Sequence, residues 1–315
     1  MTEVSRRELF PGVWLRTVHT NKFKSAYLSV TLLAPLEPET AAANALIPSV
    51  LRRGTAAHPD MESLSAALDE LYGGAIEPAV RRKGETQCVG FVASFLDDAY
   101  ALNGEKILES AAALLGELLL RPYTQDGIFC PDYTAGERAN LIDRIRGQIN
   151  DKRSYATHRL IQLMCGEEAF GTDKLGDETT AAAITPASLW QRYQELLRTA
   201  AVEVYYCGSA QPERVEAALS SALSGLPVNE ARVVPDCEVR IHAGTQPRVW
   251  FAKEILLHDA EARRRTAHPC RQCLQRQLLL RRHVSIIRFP SRFTLNCFFS
   301  VSVKPEREMF STWSK

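Results

Sequence analysis

The chain has no apolar run long enough to cross a bilayer. Its best candidate, residues 107–120, is broken by Glu109 and Glu117, whereas a span needs about 18 uninterrupted apolar residues. The opening residues, Met1-Thr2-Glu3-Val4-Ser5-Arg6-Arg7-Glu8, lack the apolar stretch of a secretory signal. Cysteine is scarce, eight in 315 residues without framework spacing, which speaks against a disulfide-stapled scaffold and for reduced thiols. Neither a P-loop nor a dinucleotide fingerprint occurs, and Gly73-Gly74 and Gly84 suit turns rather than phosphate cradling. The seven histidines, His19, His58, His158, His242, His258, His268 and His283, include no pair at i, i+4. Together these absences predict a soluble cytoplasmic protein with no membrane partner and no nucleotide cofactor.

What is present is unevenly distributed. The chain carries 38 basic and 37 acidic residues. Residues 261–315 hold 12 Lys/Arg and three Glu, which leaves 26 basic and 34 acidic residues in 1–260. An acidic majority gives no reason to expect nucleic acid. Strands are predicted at residues 12–19 and 25–33, a pair opening a sheet across the polar turn Thr20-Asn21-Lys22, and again at 76–82, 87–95 and 202–207. In the fourth residue run, Cys88, Gly90 and Val92 alternate with their neighbours. Helices are predicted at 39–53, 61–72, 105–121, 134–149, 152–164, 186–198 and 212–223. Thr185 and Pro186 stand at favourable N-cap and N1 positions. Pro48 inside the first helix predicts a kink or a late helix start, since proline in a helix interior costs about 3 kcal/mol or more. Strands, then helices, then a returning strand and helix give an α+β sandwich. Cys88, Cys165 and Cys207 lie among apolar residues and read as core side chains.

One segment carries more information than the rest: Ala45-Leu46-Ile47-Pro48-Ser49-Val50-Leu51-Arg52-Arg53-Gly54-Thr55. Downstream come Pro59-Asp60-Met61, Leu71-Tyr72-Gly73-Gly74, Arg81-Arg82-Lys83-Gly84-Glu85, Glu137-Arg138-Ala139-Asn140-Leu141 and Asn150-Asp151-Lys152-Arg153-Ser154-Tyr155-Ala156. Over roughly residues 8–225 this set resembles the insulinase–pitrilysin (inverzincin) metallopeptidases, whose His-x-x-Glu-His helix runs into an Arg/Lys-Gly-Thr. It is similar in particular to the bacterial, non-catalytic YfmF-type branch associated with elongation factor P 5-aminopentanol modification. Anchored on Arg53-Gly54-Thr55, the resemblance puts the first histidine on Ala45, the glutamate on Pro48 and the second histidine on Ser49. Alanine has no metal-binding lone pair, proline has no carboxylate, and serine is a poor zinc ligand. Glu137 matches an auxiliary glutamate, and Arg144, flanked by Asp143, stands seven residues on, where a third ligand belongs. Glu137 and Arg144 are expected on a solvated helix face or as an ion pair at i, i+7.

The resemblance implies a LuxS/processing-peptidase-like sandwich, one mostly antiparallel sheet with helices largely on one face. It also implies no catalytic, cofactor-binding or metal-ligating residues, and action as the partner subunit of an active insulinase-family paralogue, with peptide as the shared substrate. The alternative is a hydrolase with an unrecognised site. The expected organisation is an insulinase-like domain over 1–225, a linker over 226–245, and an incomplete second domain or irregular basic tail over 246–315. Codons for Arg281-Arg282-His283 can read Gly-Gly-Thr when shifted by one base. With the charge switch, this leads to the expectation that residues after about 255 are out of frame. Sharper readings of the tail are a zinc knuckle from His268, Cys270, Cys273 and His283, or an arginine-rich nucleic-acid arm. One complete domain of a tandem pair is expected to expose an apolar face and to self-associate.

Overall fold

Apolar residues at every second position of the early and late strands put one face of a sheet against a layer of alanine- and leucine-rich helices. The structure, a computed structural model, describes residues 3–166, 168–227, 232, 234 and 235. In chain order the elements are β1 (Glu3–Phe10), β2 (Val13–His19), β3 (Ser25–Pro35), α1 (Pro38–Leu51), α2 (Met61–Glu70), β4 (Ala75–Lys83) and β5 (Thr86–Leu96). There follow α3 (Ile107–Leu120), a ribbon of β6 (Thr124–Gln125) and β7 (Ile128–Phe129), α4 (Pro131–Gly147), α5 (Lys152–Met164), α6 (Glu178–Ala182), α7 (Pro186–Thr199), β8 (Ala201–Gly208) and α8 (Pro212–Ala222). The readings of residues 246–315, including the frame shift and the His268–Cys270–Cys273–His283 cluster, lie outside the described residues.

The main sheet has the order β1-β2-β8-β3-β5-β4, antiparallel throughout except for the parallel β2–β8 pair. On its covered face Val30 stands between Phe91 and Val204, Leu28 between Ala93 and Tyr206, and Leu32 between Val89 and Val202, all buried. The other face carries Tyr27 edge-on to Tyr205 at 5.8 Å, Arg6 over Trp14 at 4.2 Å, and Arg16 Nε 3.2 Å from Glu203. The expected mostly antiparallel sandwich with helices on one face is therefore the observed architecture.

Two expectations about strands change. β2 and β3 are not neighbours, because β8 lies between them and pairs with both. β1 was not expected at all. It is an edge strand whose Ser5-Arg6-Arg7-Glu8 run conceals the usual apolar signal. In β5 the alternation of Cys88, Gly90 and Val92 is masked, since the strand is buried on both faces from Thr86 to Phe91.

The core helix α1 is apolar all round and buries nine of its residues, as befits a helix surrounded by protein. It starts at Pro38, in the first helical turn where proline fits, so the late start expected from Pro48 is not seen. Pro48 sits in the last turn, and the Arg52 amide still donates to its carbonyl at 3.1 Å. The one amide lost is offset by burial of the turn around it. Asn44, fully buried on the same helix, donates to Gln87 Oε1 at 2.9 Å and accepts from Arg192 Nε at 2.8 Å. Gln87 in turn donates to the carbonyls of Ala41 and Lys174. This closed polar network pins α1 to β5 and α7.

A second seam joins α3 to α8. A Cβ at Gly116 would lie 2.3 Å from the Ala222 carbonyl oxygen, so only glycine lets the two backbones approach. Arg214 Nε donates to Glu109 Oε1 at 2.7 Å while its Nη2 pairs with Asp98, whose other oxygen accepts from the Ile107 and Leu108 amides. Past α8, Leu226 is buried, and the Arg232 guanidinium donates to the carbonyls of Leu197, Ala200 and Pro227.

Candidate functional site

The end of α1 and the turn after it form the site that the sequence singles out. Ala45 and Pro48 are buried and carry no group able to hold a metal. Ser49 lies one position on, partly exposed. The turn is fixed by its neighbours: a Cβ at Gly54 would lie 2.4 Å from the Pro59 carbonyl oxygen, and the Gly54 carbonyl accepts from the Tyr123 amide at 3.0 Å. Tyr133 Oη on α4 donates to the Pro59 carbonyl at 2.9 Å. Asp60 then caps α2 through a reciprocal bond with Ser63. Gly54 and Thr55 thus tie the end of α1 to α3, and the Pro59 carbonyl ties the turn to α4.

Beside this turn opens a cavity of about 160 Å³ lined by Ser49, Arg52, Arg53, Met61, Pro78 and Glu137. Arg53 Nε donates to Glu137 Oε1 at 2.6 Å. Arg52 Nε donates to the Ile76 carbonyl at 2.7 Å and its Nη1 meets Met61 Sδ at 3.7 Å. Burial pushes the Arg52 guanidinium below the ordinary arginine value, with Glu77 opposing from beyond ion-pair distance. The donor set is thus two guanidinium groups, a hydroxyl and one carboxylate already bound to arginine. It does not fit a divalent zinc ion. Among the described residues no group of three His, Cys, Asp or Glu side chains is placed to hold a metal.

The expected Glu137–Arg144 pair does not form. Positions seven apart on a helix are about 10 Å apart along the axis, and Arg53, from the turn after α1, reaches Glu137 instead. Nor does Glu137 lie on a solvated face: its side chain is 15% exposed. Asp143 and Arg144 are exposed. Of the cysteines read as core, Cys88 is buried, with its thiol pushed up by burial. Cys165 and Cys207 are only partly buried, because each stands where its element meets solvent. Cys130 is buried as well.

One constellation escaped the sequence reading. Thr55 Oγ1 bonds to Glu117 on α3 and accepts from the His58 amide at 2.9 Å, while His58 Nδ1 lies 3.3 Å from Glu117 Oε1. Threonine, histidine and glutamate are the residue types of nucleophilic catalysis, but Thr55 is 0% exposed. A hydroxyl sealed from solvent and already donating to a carboxylate cannot meet a substrate. The group fastens the turn to α3. Only its Thr55-x-x-His58 half is visible in sequence; Glu117 is 62 residues away.

The mostly antiparallel sheet with helices on one face, and an Arg-Gly-Thr turn at the end of the core helix, make up a fold of the M16 peptidase-like type. The comparisons with known proteins agree. No family model matches the chain. The probable inactive metalloprotease YmfF of Bacillus subtilis (strain 168) is 32% identical over 208 residues, covering 66% of this chain and 49% of that protein. A conserved protein from Enterococcus faecalis V583 superposes with a TM-score of 0.68 at 25% identity, covering 72% of this chain and 53% of that one. The peptidase M16 inactive domain from Pseudomonas fluorescens shares the fold, with a TM-score of 0.58 at 17% identity over 75% of this chain and 53% of its own. This chain is similar to a probable inactive metalloprotease and shares the fold of M16 peptidase domains. It spans about half the length of the curated relative it matches. No helix among the described residues is long and apolar enough to cross a membrane.

Proposed function

We propose that this protein is a non-catalytic insulinase-family subunit that works beside an active, zinc-bearing paralogue in peptide processing or translation-factor modification in the cytoplasm. The observation that carries the reading is the composition of the cavity at the end of α1. Where a water-activating metal would need histidines and a free carboxylate, the cavity presents Ser49, two arginines and a glutamate bound to one of them, with Ala45 and Pro48 buried on the same helix. In this reading those three positions are the vacated ligand frame, and the Arg53–Glu137 pair keeps the frame rigid without chemistry. The domain would then contribute a wall to a peptide chamber that its partner completes.

Two measurements test this. Elemental analysis of the full chain after gentle purification is expected to give zinc far below one per chain; stoichiometric zinc would sink the reading. Mixing with an insulinase-family paralogue that retains His-x-x-Glu-His is expected to give a complex on size-exclusion chromatography and chelator-sensitive peptidase activity. Peptide cleavage by the chain alone, unaffected by chelator and by removal of contaminants, would instead favour a hydrolase with an unrecognised site.

A further inference from the structure

The cavity at the end of α1 has more hydrogen-bond donors than acceptors along its lining. Its polar edge is cationic and incompletely used. Arg53 spends its Nε on Glu137, and neither of its terminal nitrogens has an acceptor among the described residues. Arg52 spends Nε on the Ile76 carbonyl and Nη1 on a thioether, a weak acceptor, and its Nη2 has none. The carboxylates nearby are Glu137, committed to Arg53, and Glu77, which acts on Arg52 only at longer range. Two arginines therefore share one contacting carboxylate, and guanidinium donors are shaped for a bidentate carboxylate.

The rest of the wall is apolar. Met61 and Pro78 flank the opening, and the Ser49 hydroxyl stands as one more donor. The volume of about 160 Å³ equals roughly five waters' share of liquid, enough for a short aliphatic stem ending in a carboxylate. We infer that this cavity binds a peptide carboxylate, with the stem against Met61 and Pro78 and the oxygens on the free nitrogens of Arg52 and Arg53. The inference rests on the reading of the site as built without metal ligands, but not on pairing with a paralogue.

Calorimetric titration of the full 315-residue chain tests it with three acetylated pentapeptides. One has a central glutamate and an amidated end, one has glutamine in its place, and one has no acidic side chain but a free C-terminus. Binding of the glutamate or the free-end peptide at least roughly tenfold tighter than the glutamine peptide is expected, and the stronger of the two identifies the carboxylate's source. Arg53→Gln should weaken binding by a similar factor. Glu137→Gln should strengthen it severalfold, because it releases a competing carboxylate, and a misfolded variant could not mimic that sign. Equal binding of all three peptides, or weaker binding by Glu137→Gln, would overturn the inference. Cleavage of a probe, read by mass spectrometry, would instead remove the non-catalytic reading and leave carboxylate binding standing.

Discussion

Two arginine–glutamate pairs in this domain use the same chemistry to opposite ends. At the α3–α8 seam Arg214 meets Glu109 and Asp98 together, and Gly116 brings the two helices into backbone contact. Every charge there is answered by the protein. At the end of α1 Arg53 meets Glu137 alone, its neighbour Arg52 has no carboxylate within ion-pair distance, and an open cavity lies between them. A saturated ion pair holds a fold together, whereas an unsaturated one beside a void is a place to receive something. Surface pairs contribute little stability in either case, so the difference lies in what the spare donors face.

The comparison breaks most visibly at the seam. Gly116→Val forces a side chain into the Ala222 carbonyl and is expected to cost about 3 kcal/mol, read as a lowered denaturation midpoint. If stability is unchanged, the two helices do not pack as described. Next in size, Gln87→Ala strands the buried Asn44 amide and the Ala41 and Lys174 carbonyls. A loss of about 2 kcal/mol is expected, also by denaturant titration.

Arg214→Lys keeps the charge and loses the fork, for a loss of about 1 kcal/mol. The Arg214 hydrogen bond holds the Glu109 carboxyl below the usual glutamate range. A depressed folded value means the unfolded chain binds the extra proton. The stabilisation is therefore complete above about pH 4.3, the unfolded value, and fades as pH falls below it. Glu109→Gln should flatten that part of the acid limb; an unchanged limb would show that the pair carries no linkage. Arg53→Gln, by contrast, should shift stability by no more than about 1 kcal/mol while weakening carboxylate binding about tenfold. Smallest of all, Arg144→Ala should alter stability by less than about 0.5 kcal/mol, since the arginine is exposed. A larger loss would revive its pairing with Glu137.

Features settled within a few residues were legible in the sequence. α5 runs Lys152–Met164 as its pattern predicts, and Thr185 caps α7 through a reciprocal bond with Ser188. The Arg53-Gly54-Thr55 motif led to the right turn. What escaped depends on residues far apart in the chain. The partner of Glu137 is 84 residues earlier, not seven later. Arg52 drew no attention because it becomes a cavity wall only when β4 delivers the Ile76 carbonyl and Pro78. β1 escaped because an edge strand can afford charges on both sides, and periodicity then reports nothing.

The insertion of β8 between β2 and β3 has a consequence for how the protein is made. β2 and β3 leave the ribosome early, but the strand that joins them, Ala201–Gly208, comes more than 160 residues after β3 ends at Pro35. At ordinary translation rates the slot stays open for on the order of ten seconds. For that time the two strands flanking the slot present bare hydrogen-bonding edges and an incomplete apolar face. The sheet closes only when the last strand arrives, and parallel, long-range pairing of this kind is slow. The nascent chain is therefore most vulnerable to misassociation through the middle of the sheet, and a holding chaperone should engage it between synthesis of β3 and of β8.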